Sequence, residues 1–212
     1  MSGGAGHWLD LSHPMDEATP SYPGDAPLAL RQVKQSARDG YCLYQLTTSL
    51  HTGTHVDVPM HLTDDPRFVC EWPLTAFAGP AVLLDARGQA RLAMYPAYAE
   101  AVREGDIVLL HTGWDAQYAC PARYFGEHPE MTDALTDFLL ARRIRMLGLD
   151  MPSPDRPPFA AHRRLLAAGI PIVENMTNFA ALPREGRFDV QALPLRLRAE
   201  ASPVRAVAWV DG

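Results

Sequence analysis

The stretch "DALTDFLLARRIRMLGLD", residues 133–150, decides the fold class. Thr132 before it can cap a helix, and the spacing of Leu135, Phe138, Leu139 and Ile144 puts four apolar side chains on roughly one helical face. "RMLGLD" then changes to a short, continuously apolar run, the pattern of a buried strand. The same grammar appears on either side. Upstream, "AYAEAVREG" (97–105) predicts a short helix ended by Gly105, followed by the strand "DIVLLHTG" (106–113). Downstream, "AAHRRLLAAG" (160–169) predicts a helix closed by Gly169 and running into the strand "IPIVEN" (170–175). Three helix-then-strand units indicate an α/β domain with a partly parallel central sheet. "YCLYQLTTSL" (41–50) and "PAVLLD" (80–85) have strand character, and "FDVQALPLRL" (188–197) and "PVRAVAWV" (203–210) add strands without helices. The sheet is therefore expected to be mixed, and the fold not a pure Rossmann type. No GxGxxG and no GxxxxGK[ST] follows a strand, so nucleotide sites are not supported.

Composition sets the outer limits. The chain has 212 residues, 47% apolar and 21% charged, with prolines spread throughout, which predicts a single domain over 1–212. A formal charge of −6 gives no basic face for phosphates, so a small-molecule substrate is expected rather than nucleic acid or an anionic membrane. No apolar run reaches the roughly 20 residues of a membrane span, and the first residues lack a secretion signal, so the expected location is the cytoplasm. Cys42, Cys70 and Cys120 are odd in number and scattered, unlike a disulfide framework or a zinc CxxC pair.

The chemistry concentrates in "HTGTHVDVPMH", residues 51–61. Gly53, Pro59 and the β-branched residues disfavour helix, and in extended chain His51, His55, Asp57 and His61 share one face while Val56, Val58, Met60 and Leu62 take the other. A straight strand would separate His51 from Asp57 by about 20 Å, so the chain must bend. Gly53 permits a turn that returns His51, and Pro59 can redirect His61. Two imidazoles and a carboxylate suit Zn²⁺, Mn²⁺ or Fe²⁺ in an open catalytic site, since no thiol stands nearby to close a structural zinc site. A set of polar strand residues with ordinary hydrogen-bond partners is the plainer alternative.

The stretch has the pattern HxGTHxDxPxH and resembles the cyclase family of metal-dependent hydrolases, which includes bacterial kynurenine formamidases (arylformamidases) and isatin hydrolases. The similarity runs from "WLDLSHPM" and "PSYPGD" near the start to "PVRAVAW" near the end. It implies a swivelling β/β/α arrangement with a mixed sheet flanked by helices. It also implies that His51, His55 and Asp57 are metal ligands, that the Asp57 carboxylate can bridge two ions, and that His61 is the acid/base residue. A histidine and, twelve residues on, a glutamate complete the family's site, and His162 and Glu174 stand at that separation. Glu174 also ends the strand "IPIV", where open α/β sheets place their sites. Tyr22 in "PSYPGD" occupies a substrate-contacting position where formamidases of the family commonly carry tryptophan, and Thr54 and Val56 replace their small alanines.

The implied cofactor is a divalent cation, Zn²⁺ first and Mn²⁺ as the alternative, one or two per subunit of a homo-oligomer (dimer or tetramer). The implied function is hydrolysis of a C–N amide bond in a small aromatic formamide or cyclic amide by hydroxide generated at the metal. N-formylkynurenine is the model substrate, and an isatin-like lactam or another small substrate of the family is the alternative. A more distant alternative is a non-haem iron oxygenase built on His55, Asp57 and a distal histidine; the bland one is a metal-dependent binding protein without catalysis. His111 and Trp114 could line the pocket or be structural, Asp150 and Asp155 could orient a ligand histidine or only fix a turn, and Phe68 and Trp72 could cover an aromatic substrate but are expected in core or subunit contacts.

Overall fold

The computed structural model describes residues 6–211. Its strands are β1 (His7–Asp10), β2 (Ala29–Lys34), β3 (Leu43–Thr47), β4 (His55–Asp57), β5 (Ala78–Asp85), β6 (Arg91–Leu92), β7 (Ile107–His111), β8 (Glu130–Met131), β9 (Met146–Leu149), β10 (Ile172–Glu174), β11 (Phe188–Gln191), β12 (Ala201–Pro203) and β13 (Val207–Val210). The helices are α1 (Ser36–Asp39), α2 (Pro96–Ala101), α3 (Pro121–Gly126), α4 (Asp133–Ala141) and α5 (Ala160–Ala167). Nine strands form one mixed sheet in the order β1-β13-β11-β5-β7-β9-β10-β4-β12. Strands β5, β7, β9 and β10 run parallel at its centre, as the three helix-then-strand units require. All other neighbours in this sheet pair antiparallel. The expected α/β class with a mixed sheet is thus the observed one.

Strands β7, β9 and β10 are buried at every position, which is why they read as continuous apolar runs instead of alternating ones. Alternation reappears as a division between two cores. Ile107, Leu109, Met146 and Val173 enter one, and Val108, Leu110, Leu147, Leu149 and Ile172 enter the other. The second core is roofed by α2, α4 and α5 through Tyr98, Leu135, Leu139, Leu165 and Leu166. Loops and 3-10 turns, with Leu11, Val69, Phe77 and Phe179, close the first. Helices α2, α4 and α5 therefore pack on one side of the sheet. Burial of each such leucine contributes roughly 1.5–3 kcal/mol. Gly148 lets the layers meet: a Cβ there would stand 2.4 Å from Leu109 Cδ2 and 2.8 Å from Met176 Sδ.

Several boundaries differ from expectation: "FDVQALPLRL" is a strand only over β11, and "PVRAVAWV" is divided between the end of β12 at Pro203 and β13 from Val207. Helix α4 has Thr132 at its N-cap, with the hydroxyl accepting from the Leu135 N–H at 3.4 Å, but it stops at Ala141 because Arg143 turns to φ 46°. Ile144 still reaches the core from the turn. Helix α2 ends at Ala101, before Gly105, as Val102 becomes extended and buried. "YCLYQLTTSL" gives β3, but it pairs only with β2 in a two-stranded ribbon outside the main sheet, and all five of its residues are exposed.

Candidate metal centre

Strand β4 lies between β10 and β12, antiparallel to both. Its register sets His55 opposite Glu174 and Asp57 opposite Ile172. Because Val56 enters the first core, His55 and Asp57 must both face the helical side, where α5 packs. Strand character is confined to those three residues. Before them a turn with Gly53 at φ 73° brings His51 back over the strand; its left-handed backbone and the Met15 side chain, 3.2 Å from where a Cβ would sit, both call for glycine. After them Pro59 opens a 3-10 turn, Pro59–His61, that folds His61 back to the same side. The bends expected at Gly53 and Pro59 are both present. Val56 and Val58 are fully buried, Met60 packs on the first core and Leu62 on the second.

Asp57 sits at the middle of the assembled groups. His51 Nδ1 is 3.0 Å and His55 Nε2 3.5 Å from its Oδ1, while His162 Nε2 is 3.4 Å and His61 Nε2 4.0 Å from its Oδ2. Glu174 adds the second carboxylate, with Oε2 3.5 Å from His55 Nε2 and Oε1 3.8 Å from His162 Nδ1. Two sets of donor atoms, His51/Asp57/His61 and His55/Asp57/Glu174, each converge within 4.8 Å. His162, the third residue of α5, reaches Asp57 from above the sheet. All six residues of the candidate centre are thus adjacent.

The cluster is buried and poorly satisfied. His55, Asp57, His162 and Glu174 retain 5% exposure or less. Yet His55 Nε2, both oxygens of Asp57, His162 Nε2 and Glu174 Oε1 lack hydrogen-bond partners among the described residues, because the close imidazole approaches are not aligned as hydrogen bonds. Burying an unpaired carboxylate costs several kcal/mol, on the order of its desolvation, unless a cation compensates. The electrostatics of the metal-free chain respond in kind. Burial opposes ionisation of Asp57, but His55, His51 and His162 hold its carboxyl well below the usual range. Burial also opposes charge on His51, yet Asp57, Glu174 and Glu200 push it up to about 9. Burial, reinforced by the neighbouring His51, His162 and His55, pushes His61 down to about 4. Burial raises Glu174. A nitrogen and carboxylate donor set with orphaned lone pairs fits a divalent cation such as Zn²⁺ or Mn²⁺.

The cluster opens into a cavity of about 250 Å³ lined also by Tyr22, Asp25, Leu62, Phe125, Pro152, Ser153, Phe159 and Asn175. Tyr22 meets Phe125 edge-on, with ring centroids 5.6 Å apart, and Phe159 meets His162 at 6.2 Å. Tyr22 was visible in the sequence; Phe125 comes from the short helix α3, and the remaining walls come from loops and turns with no periodic signal, as does Glu200, 3.3 Å from His51 Nε2. Other candidates lie elsewhere. His111 lines a separate cavity of about 60 Å³ with Asp85, Arg87 and Phe179. Trp114 packs on the second core and donates its indole N–H to the Tyr124 carbonyl at 3.0 Å. Asp150 accepts from the Thr112 N–H and hydroxyl and from the Gly113 N–H, fixing the turn after β7. Asp155 accepts from the Ala161 N–H at 2.7 Å and so anchors the start of the helix that carries His162. Trp72 packs on the first core, under the Arg67 guanidinium.

Known proteins are similar to this chain in sequence and in fold. The family model described as "Putative cyclase" matches residues 9–156. The kynurenine formamidase of Geobacillus thermodenitrificans is 31% identical over 205 residues, covering 94% of this chain and 95% of that one. The kynurenine formamidase of Bacillus cereus is likewise 31% identical, over 94% of this chain and 96% of its own. Among solved structures, isatin hydrolase A from Labrenzia aggregata bound to benzyl benzoate superimposes with a TM-score of 0.85 at 26% identity, over 98% of this chain and 94% of that one. With the family model over residues 9–156, the relatives at 31% identity and the fold in agreement, the chain belongs to the cyclase family.

Proposed function

We propose that this chain is a metal-dependent amidohydrolase of a single domain that cleaves a C–N bond in a small aromatic formamide, as the kynurenine formamidases it resembles are named for doing. The observation that carries the reading is the buried set of orphaned nitrogen and carboxylate atoms opening into a cavity with aromatic walls. A cyclic amide of the isatin type is the second substrate class, favoured by the fold's match to an isatin hydrolase. His51, His55, Asp57, His162 and Glu174 would hold one or two divalent ions, Zn²⁺ first and Mn²⁺ as the alternative, with the two Asp57 oxygens directed to different histidines. When bound, the cation supplies Lewis acidity, which lowers the pKa of water from about 15.7 to about 7 and polarises a carbonyl oxygen.

The chain's own groups do the rest. His61 is half-buried, and its low pKa leaves the ring neutral at pH 7, able to take a proton at Nε2 from the attacking water and pass it to the departing nitrogen. Tyr22, Phe125 and Phe159 offer faces and edges against which an aromatic amide can be oriented, and burial of the cluster keeps bulk water from competing. A homo-oligomer in the cytoplasm belongs to the same proposal. The β2–β3 ribbon exposes Val33, Tyr41, Leu43, Tyr44 and Leu46, and its three basic residues (Arg31, Lys34, Arg38) outnumber Asp39 in a chain of charge −6. That combination suits docking onto the acidic body of a second copy. No helix among the described residues is long and apolar enough to cross a membrane.

The test is hydrolysis of N-formylkynurenine and isatin by the Zn²⁺- and Mn²⁺-loaded protein. Formate release from the first, or ring opening of the second, is expected; no turnover of any aromatic formamide or lactam by fully loaded protein contradicts the reading.

A further inference from the structure

Immediately after Glu174, Asn175 adopts φ 55°, a left-handed conformation that asparagine tolerates better than most residues but still at a cost. It is pinned at every polar group. Its N–H donates to the Met151 carbonyl at 3.1 Å, and its carbonyl accepts from the Thr54 hydroxyl at 2.6 Å. The side-chain amide donates through Nδ2 to the Gly53 carbonyl at 2.9 Å and accepts at Oδ1 from the Tyr124 hydroxyl at 2.9 Å. Tyr124 is fully buried, and its indole-capped carbonyl ties α3 to Trp114. The Gly53 carbonyl has a second neighbour, His55 Nδ1, at 2.9 Å.

A carbonyl oxygen only accepts, so His55 carries a proton on Nδ1, and Nε2 is the nitrogen that faces Asp57 and Glu174. The Asn175 amide and the His55 ring are 3.4 Å apart and converge on that one oxygen. Gly53 lies in the turn that Met15 and the left-handed backbone already constrain, and the Asn175 amide fixes the last freedom of its peptide plane.

We infer that Asn175 and Tyr124 are positioning residues for the metal centre: the chain from Tyr124 Oη through the Asn175 amide to the Gly53 carbonyl sets the tautomer and ring orientation of His55. This rests on the reading of His55 as a metal ligand. Neither residue belongs to the two converging donor sets; they act on the orientation of a ligand, the kind of outer support whose loss typically costs about 10- to 100-fold in metal affinity. The arrangement also explains a strained residue directly beside Glu174, since the same clamp holds the end of β10 where that carboxylate emerges.

Three variants test it: Asn175→Gly, which accepts the left-handed backbone without the amide; Tyr124→Phe, which removes one hydroxyl; and His55→Ala. Zn²⁺ affinity is measured by chelator competition, and the imidazole tautomers of the metal-free proteins by ¹⁵N NMR of histidine-labelled samples. The wild type should show His55 protonated on Nδ1. Asn175→Gly should bind Zn²⁺ about 10- to 100-fold more weakly and populate both tautomers, and Tyr124→Phe should move both readouts the same way by a smaller factor. Wild-type affinity and tautomer in folded Asn175→Gly and in Tyr124→Phe overturn the inference; if Asn175→Gly does not fold, Tyr124→Phe decides alone. Loss of binding in His55→Ala with none in the other two sinks only this inference. Undiminished binding in His55→Ala sinks the ligand reading and this inference together.

Discussion

His55 and Glu174 are direct partners across the antiparallel β4–β10 pair, and their Nε2 and Oε2 atoms stand 3.5 Å apart on the helical side of the sheet. They are 119 positions apart in the chain and adjacent only through the register of two three-residue strands. Glu174→Gln keeps the shape but removes the charge and one lone-pair direction. It is expected to weaken divalent-metal affinity by more than about tenfold while leaving the fold intact, measured by chelator competition alongside circular dichroism.

His61→Ala separates a proton carrier from a ligand. Its imidazole shares a donor set with His51 and Asp57, but it is the farthest of the four histidines from Asp57, at 4.0 Å. The variant should retain its metal and lose about 10²- to 10⁴-fold in turnover, the usual contribution of general acid–base catalysis. Metal content and kcat measured on the same preparation check this, and loss of the metal would make His61 a ligand instead.

The helix-then-strand alternation was legible because α4, α5 and the central strands are set by local periodicity and by caps such as Thr132 and Gly169. The polar face of residues 51–61 was legible for the same reason, and Gly53 and Pro59 announced its bends. What stayed hidden was non-local. Nothing in the sequence pairs Asn175 with Gly53, sets Tyr22 edge-on to Phe125, or shows that β3 leaves the main sheet, because these depend on strand register and loop paths that no short window encodes. His111 was open between two roles: the end of a parallel strand is the right kind of place for a site residue, but β7 delivers this one into a different cavity.

Protons and metal should compete at His51. In the metal-free chain its pKa is raised to about 9, so at pH 7 binding must displace a proton. Metal affinity should therefore rise with pH up to about 9, and calorimetry in two buffers of different ionisation enthalpy should detect proton release. The sign for stability is opposite. A histidine raised above its unfolded value near 6.5 contributes stability that is complete below that pH and disappears as pH rises through about 9. Asp150, raised by burial to about 7 from 3.8, adds a loss in the same direction between those values. The melting temperature of metal-free protein should fall between pH 6.5 and 9; a flat or rising profile would contradict the assigned charges.

Gly53→Ala should injure the centre through the backbone. The φ of 73° and the 3.2 Å approach of Met15 predict a destabilisation of about 1–3 kcal/mol, read from denaturant unfolding, with weakened metal binding as His51 loses its return path.

The central claim is that the residues around Asp57 hold a catalytic divalent cation. The most direct measurement is metal content per chain together with hydrolysis of N-formylkynurenine and isatin before chelation, after chelation and after re-addition of Zn²⁺ or Mn²⁺. The account predicts bound metal at one or two ions per chain, loss of turnover on its removal and recovery on its return. Full activity in protein shown to be free of metal would contradict it.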